Sequence, residues 1–265
     1  MSKTIMFVHG AWVTPACWQS LSSYFEGRGY TCVAPPWPFL DRPFAELRER
    51  IDPGFADLTV NAIVDHYATK IMAMVEPPIL IGHSFGGLIV QLLLDRGLGE
   101  AGVAIDAGPP RGVLPSWSAI KSAAPVLLSW RGWRKLHTMS FKGFSYAFAN
   151  GLAPEEMRKA YDSQIIQAPG RIYFQAAIGL GVGLDFANPN RAPLLLIAGG
   201  TDRTSTPSMV RSMFRRHKKS PRPVALLEYA DRSHWLIAAP GWEKMAQEIS
   251  GWLEAQETAD RKATR

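Results

Sequence analysis

Only two cysteines occur, Cys17 and Cys32. They fit no metal-ligand spacing and are too few for a disulfide scaffold, so they read as free, packed thiols, with a single bridge as the alternative. No apolar run reaches the roughly 18–20 residues that a membrane span needs. The first residues, Met1-Ser2-Lys3-Thr4, lead straight into an apolar strand pattern. They lack the charged segment, long apolar stretch and cleavage site of a secretory signal, so the expected location is cytoplasmic, with no membrane partner. No internal repeat is visible. Charged residues make up 20% of the chain and apolar ones 47%, the balance of a globular protein with a sizeable core.

The net charge of +6 invites an anionic partner. Much of the excess sits in one run, Arg211, Arg215, Arg216, Lys218, Lys219 and Arg222. That run reads as the wet face and end of a helix, where cations suit the helix dipole. No nucleic-acid partner is expected.

Six short apolar runs bounded by turn residues read as buried parallel strands: Thr4–Val8, Thr31–Ala34, Ile79–Ile81, Val103–Ala107, Leu194–Ala198 and Val224–Leu227. Helix-length amphipathic stretches separate most of them. Thr14-Pro15 starts the first helix, which Gly27 and Gly29 stop. Further helices are expected over Val60–Val75, Leu88–Arg96, Pro207–His217 and Trp242–Gln256. Alternating strands and helices predict an α/β fold with a mostly parallel sheet of about six strands, covered by helices on both faces. The core is expected over residues 1–110 and 192–256. Between them, residues 111–191 form an aromatic-rich stretch with no clear strand, expected as a helical cap over the sheet's carboxyl edge, where ligands enter such folds. A polar tail at 257–265 is expected to be disordered.

The sharpest motif is Gly82-His83-Ser84-Phe85-Gly86, preceded by a strand and followed by a helix. A serine on so sharp a turn stands exposed above the sheet edge, and glycines on either side let strand and helix approach. Serine needs an adjacent base. Among the six histidines, His217 and His66 read as surface residues, His137 lies in the insertion, His9 ends the first strand, and the turn points His83 away from Ser84. His234, between the last strand and last helix, is the expected base. Asp202, on the loop after the fifth strand run, is the expected acid, with Asp106 at the end of the preceding strand as its rival. Two amides would hold an oxyanion: Phe85, which follows the serine, and Ala11, in the loop after the first strand. Trp12, His83 and Trp235 are substrate-binding candidates.

With these motifs (His9-Gly10-Ala11-Trp12, the Ser84 turn, Gly200-Thr201-Asp202 and Ser233-His234-Trp235), the chain resembles the α/β-hydrolase superfamily from Thr4 to about Leu253. Within it, the chain is similar to small lidded bacterial esterase-like proteins, and its His-Gly-Ala-Trp opening resembles the plant methylesterase and hydroxynitrile lyase group. Ser233 stands where a glycine is usual, and the first two strands of longer members are absent. The resemblance implies ester or lactone hydrolysis through an acyl-enzyme, with neither metal nor organic cofactor. A small apolar ester or lactone is the expected substrate, and the chain is expected as monomer or homodimer. A lyase or cofactor-free oxidative enzyme on the same scaffold, or a non-catalytic receptor, remain the alternatives.

Overall fold

The computed structural model describes residues 3–263. Six parallel strands form the main sheet: β1 (Thr4–Val8), β2 (Thr31–Val33), β3 (Ile79–His83), β4 (Ala101–Ile105), and, after a two-residue pair β5 (Leu136–His137) and β6 (Ala168–Pro169), β7 (Leu194–Gly199) and β8 (Val224–Tyr229). Their spatial order is β2-β1-β3-β4-β7-β8. Every residue of β3, β4 and β7 is buried, which is why these strands read as continuous apolar runs rather than alternating ones. The chain reverses its direction of travel across the sheet at β1, with Val8 in register with Gly82. Such a switch point opens a crevice at the strands' carboxyl ends, so the loop leaving β1 and the turn leaving β3 emerge side by side.

The helices are α1 (Gln19–Glu26), α2 (Phe44–Glu49), α3 (Val60–Met72), α4 (Phe85–Asp95), α5 (Trp117–Leu127), α6 (Phe141–Ala147), α7 (Pro154–Gln164), α8 (Gly170–Ile178), α9 (Pro207–His217) and α10 (Trp242–Ala263). Four of them, α5–α8, fall between β4 and β7. Ser116 and Ser140 cap α5 and α6 through their side chains, a signal that the aromatic density of this stretch obscures in the sequence. Both cysteines are free. Among the described residues no helix is long and apolar enough to cross a membrane.

Three local expectations are corrected. The fourth strand spans Ala101–Ile105 rather than Val103–Ala107, because Asp106 takes a left-handed conformation (φ 42°) that ends the strand. Helix α10 continues past Gln256 to Ala263, so the expected tail is helical as far as it is described; positions 264 and 265 lie outside the described residues. His217 is buried rather than on the surface. Its Nε2–H donates to the Gln91 Oε1 at 3.0 Å, and burial lowers its pKa to about 3.

Candidate active site

Ser84 sits at φ 58° and ψ −123°, directly between β3 and α4. A residue with a Cβ avoids that region unless its surroundings force it there. Here the forcing is steric and hydrogen-bonded. The Ser84 N–H extends the β3–β4 ladder to the Ile105 carbonyl (3.0 Å), while its own carbonyl accepts from Gly108 (2.9 Å) and Leu88 (3.2 Å). A Cβ at Gly86 would overlap the Val8 carbonyl, and one at Gly82 would overlap the Gly86 carbonyl. The two glycines of the motif are thus contact surfaces between three backbones.

The loop after β1 presses on the same residue. A Cβ at Gly10 would stand 2.9 Å from the Ser84 Cβ and 3.0 Å from the His83 carbonyl oxygen, which leaves the chain at Ala11 beside the serine. Buried His9 braces this loop. Its Nε2 accepts the Trp37 N–H (3.1 Å), so the ring proton lies on Nδ1, which donates to the Gly10 carbonyl (2.9 Å). Burial, partly opposed by that hydrogen bond, lowers its pKa to about 4. From local pattern alone, His9 reads only as the end of the first strand and the start of the His-Gly-Ala-Trp motif. Trp12, at φ 67°, donates its indole N–H to the His137 carbonyl and packs at a tilt against Tyr173, tying the loop to the insertion.

His234 and Asp202 meet across 32 residues of chain: the imidazole Nδ1–H donates to Asp202 Oδ2 at 2.6 Å, and both side chains are fully buried. Asp202 Oδ1 accepts the amides of Thr204 (2.6 Å) and Ser205 (3.0 Å), so every direction the carboxylate faces is specified. With Nδ1 protonated, Nε2 is an acceptor, and it has no hydrogen-bond partner. His83, immediately before Ser84, packs its ring 4.5 Å from that of His234 and donates Nε2–H to the His234 carbonyl (2.7 Å). Burial and the neighbouring imidazole keep His83 well below the usual histidine range. An unpartnered imidazole nitrogen, on a ring packed against the residue that precedes a strained serine and backed by a carboxylate, is the equipment for moving a hydroxyl proton.

Asp106 is the rival acid, and the sheet order explains why it competes: β4 lies between β3 and β7. Its Oδ1 accepts the Gly199 amide (2.7 Å) and its Oδ2 has no partner. Burial, and then the charge of Asp202, push its carboxyl well above the ordinary carboxylate range, against the pull of the Gly199 amide. Both causes favour the protonated form of Asp106. Asp202, not Asp106, bonds His234.

A stability measurement checks this protonation. The folded state keeps on Asp106 a proton that the unfolded chain releases near pH 4. That contribution is complete below the unfolded pKa and is lost as pH rises towards the folded one. The isosteric Asp106→Asn removes it, so thermal unfolding should show the variant gaining on wild type between pH 5 and 8, by up to about 1.4 kcal/mol per pH unit. A difference between the two proteins that stays constant over that range means an ionised Asp106.

The cavity above Ser84 has a volume of about 330 Å³. Its floor includes Trp12, Phe85, Phe148 and Tyr173; α5, α8 and the 108–115 loop supply Val113, Leu114, Ile120, Leu127 and Ile178. Arg111 is the one formally charged side chain in its lining. Of the three side chains expected to bind substrate, Trp12 is there. His83 is not, because it lies beneath the serine turn holding the His234 carbonyl. Trp235 is not either: it packs on Phe144 inside the insertion and anchors its amide on the Phe148 carbonyl (2.9 Å). Phe148, whose ring lies edge-on to His234, is the lining residue that no local motif announced.

Among the described residues, the set of three metal-ligand types within 4.8 Å of one another is His83, Asp106 and His234. All three are buried, and His234 already spends its Nδ1 on Asp202. The arrangement fits a base better than a metal ligand.

The sequence model of the alpha/beta hydrolase family matches residues 5–245. No curated protein sequence matches the chain. Solved structures do. A monoacylglycerol lipase of Paleococcus ferrophilus is 17% identical with a TM-score of 0.65, covering 94% of this chain and 93% of its own. A methylesterase from Arabidopsis is 16% identical with a TM-score of 0.67, covering 94% and 98%. A pyrethroid hydrolase from Sphingobium faniae is 17% identical with a TM-score of 0.61, covering 96% and 98%. At these identities the likeness concerns the fold.

Proposed function

Because the chain belongs to the alpha/beta hydrolase family, we propose that it is a serine hydrolase cleaving carboxylic esters or lactones through an acyl-enzyme. The observation that carries this reading is the His234 ring, held through Nδ1–H on Asp202, packed 4.5 Å from the ring of His83 next to Ser84 in the chain, with Nε2 left as an unpartnered acceptor. Ser84 attacks the ester carbonyl while Nε2 takes its proton. Asp202 fixes the tautomer and stabilises the imidazolium. The amides of Ala11 and Phe85 receive the oxyanion, helped by the positive end of α4. His234 then protonates the leaving alcohol and draws a proton from the water that releases the acid.

Residues 111–191 act as a cap over the core of 1–110 and 192–256. The cavity between them is mostly hydrocarbon and aromatic, which supports an uncharged, apolar acyl or alkyl group over an ionic one. The esterase, lipase and hydrolase names of the structural neighbours point the same way.

Treatment with a fluorophosphonate, followed by peptide mass spectrometry, tests the assignment. Stoichiometric labelling of Ser84 that His234→Ala abolishes is the expected result. Absence of labelling in the folded wild type overturns it in favour of a receptor. Turnover of a p-nitrophenyl ester panel then separates a hydrolase from a lyase.

A further inference from the structure

Helix α5 buries Ala119 and Val126 yet also shows apolar side chains outward. A surface helix ordinarily buries its apolar stripe and shows a polar one. Here the residues facing the protein include Ser118, Ser122, Ala119 and Ala123, with Ser122 Oγ donating to the Ser118 and Arg203 carbonyls. The outward residues are Trp117, Lys121 and, one residue past the helix, Leu128, while Ile120 is partly exposed where it lines the cavity. Trp117 is 81% exposed and Leu128 85%. The apolar surface continues onto neighbouring elements: Trp130 follows at 82% exposed, and Leu114 and Ile178 are exposed at the rim of the cavity. Scattered exposed hydrophobics need no explanation, but a contiguous set of this size marks a place where something docks.

Charge identifies the partner. Between Asp106 and Glu155 the sequence holds no acidic residue, yet it holds Arg111, Lys121, Arg131, Arg134, Lys135 and Lys142. All six are exposed, and none forms an ion pair among the described residues. Elsewhere arginines do find acids, as Arg96 does with Asp65 and Arg211 with Glu228. A second copy of the chain fits poorly, since a two-fold contact would set six cations against six. Protruding tryptophan and leucine interleaved along the chain with exposed lysine and arginine is the chemistry that lies in the headgroup layer of an anionic bilayer, apolar tips below and cations at the phosphates.

We propose that the outer face of α5 and the 128–135 loop dock peripherally on anionic phospholipid membranes, with the mouth of the cavity towards the bilayer. The absence of a spanning segment does not bear on this, because lying on a membrane needs no apolar run of that length. The docking stands whether or not the hydrolase assignment does.

Co-sedimentation with vesicles tests it. Wild type should pellet with phosphatidylcholine vesicles containing phosphatidylglycerol, remain in the supernatant with phosphatidylcholine alone, and be released as salt rises. The double variant Trp117→Ser/Trp130→Ser, whose side chains do not line the cavity, should bind the anionic vesicles at least tenfold more weakly. So should Lys121→Glu/Arg131→Glu. Unfolding curves that match wild type establish that each variant is folded. The proposal is overturned if wild type ignores anionic vesicles, or if folded variants bind them as tightly as wild type. It is equally overturned if light scattering shows a dimer that the tryptophan variant dissociates.

Discussion

The Ser84→Ala variant is expected to turn over a p-nitrophenyl ester with kcat lowered by about 10⁴–10⁶, and His234→Ala by a similar factor. The two should not add in the double variant, because a nucleophile without its base and a base without its nucleophile fail at the same step. What survives is the contribution of the oxyanion donors and the cavity, about 10³–10⁴ over water. KM should move little, since neither substitution alters the apolar lining that holds the substrate. The alanine at 84 keeps the same left-handed backbone and removes only the oxygen, so unfolding should be nearly unchanged. Steady-state kinetics on the two single variants and the double variant checks all of this. Losses that multiply would mean that the two residues act independently.

Asp202→Asn should be nearly as damaging, with kcat down by about 10⁴, and the reason lies in its hydrogen bonds. Asp202 Oδ1 accepts two amides, from Thr204 and Ser205, so in the variant the amide oxygen must take that place. The NH₂ group is then left facing His234 Nδ1. A donor there forces Nδ1 to accept and moves the ring proton to Nε2, the atom that has to receive the serine proton. Asp106→Asn leaves the Asp202–His234 bond in place and should lower kcat far less. Measuring kcat for both variants therefore separates the two acids. If Asp106→Asn proves the more harmful, the assignment moves to Asp106.

Much of this site is legible in the sequence because each of its three groups is announced locally. Ser84 lies between a strand and a helix with glycines at fixed offsets, Asp202 follows a buried strand through Gly199-Gly200, and His234 precedes the last helix. What stayed hidden depends on lateral order. Nothing in the one-dimensional pattern says that β4 sits between β3 and β7, so Asp106 could be read as a rival but not as a buried neighbour of Asp202 whose Oδ1 holds the Gly199 amide. Neighbours in sequence also proved poor guides to neighbours at a surface: His83 and Trp235 adjoin Ser84 and His234 along the chain, yet both point away from the cavity. The burial of His217 was missed because its partner, Gln91, comes from a helix more than 120 residues away. The expected fold held because buried parallel strands and glycine-bounded helices write themselves into composition, whereas the bounds of the short helices between β4 and β7 do not.

The dihedral angles at Ser84 carry one last consequence. They are imposed by backbones meeting at Gly82, Gly86 and Gly10, and the hydroxyl takes no part in maintaining them. The bend is therefore indifferent to which small atom sits at its tip. A thiol or a short carboxylate could occupy the same perch without rebuilding the sheet, while a β-branched side chain would meet the full penalty of that region. The scaffold fixes where a reaction starts and leaves the choice of reacting element to a single codon.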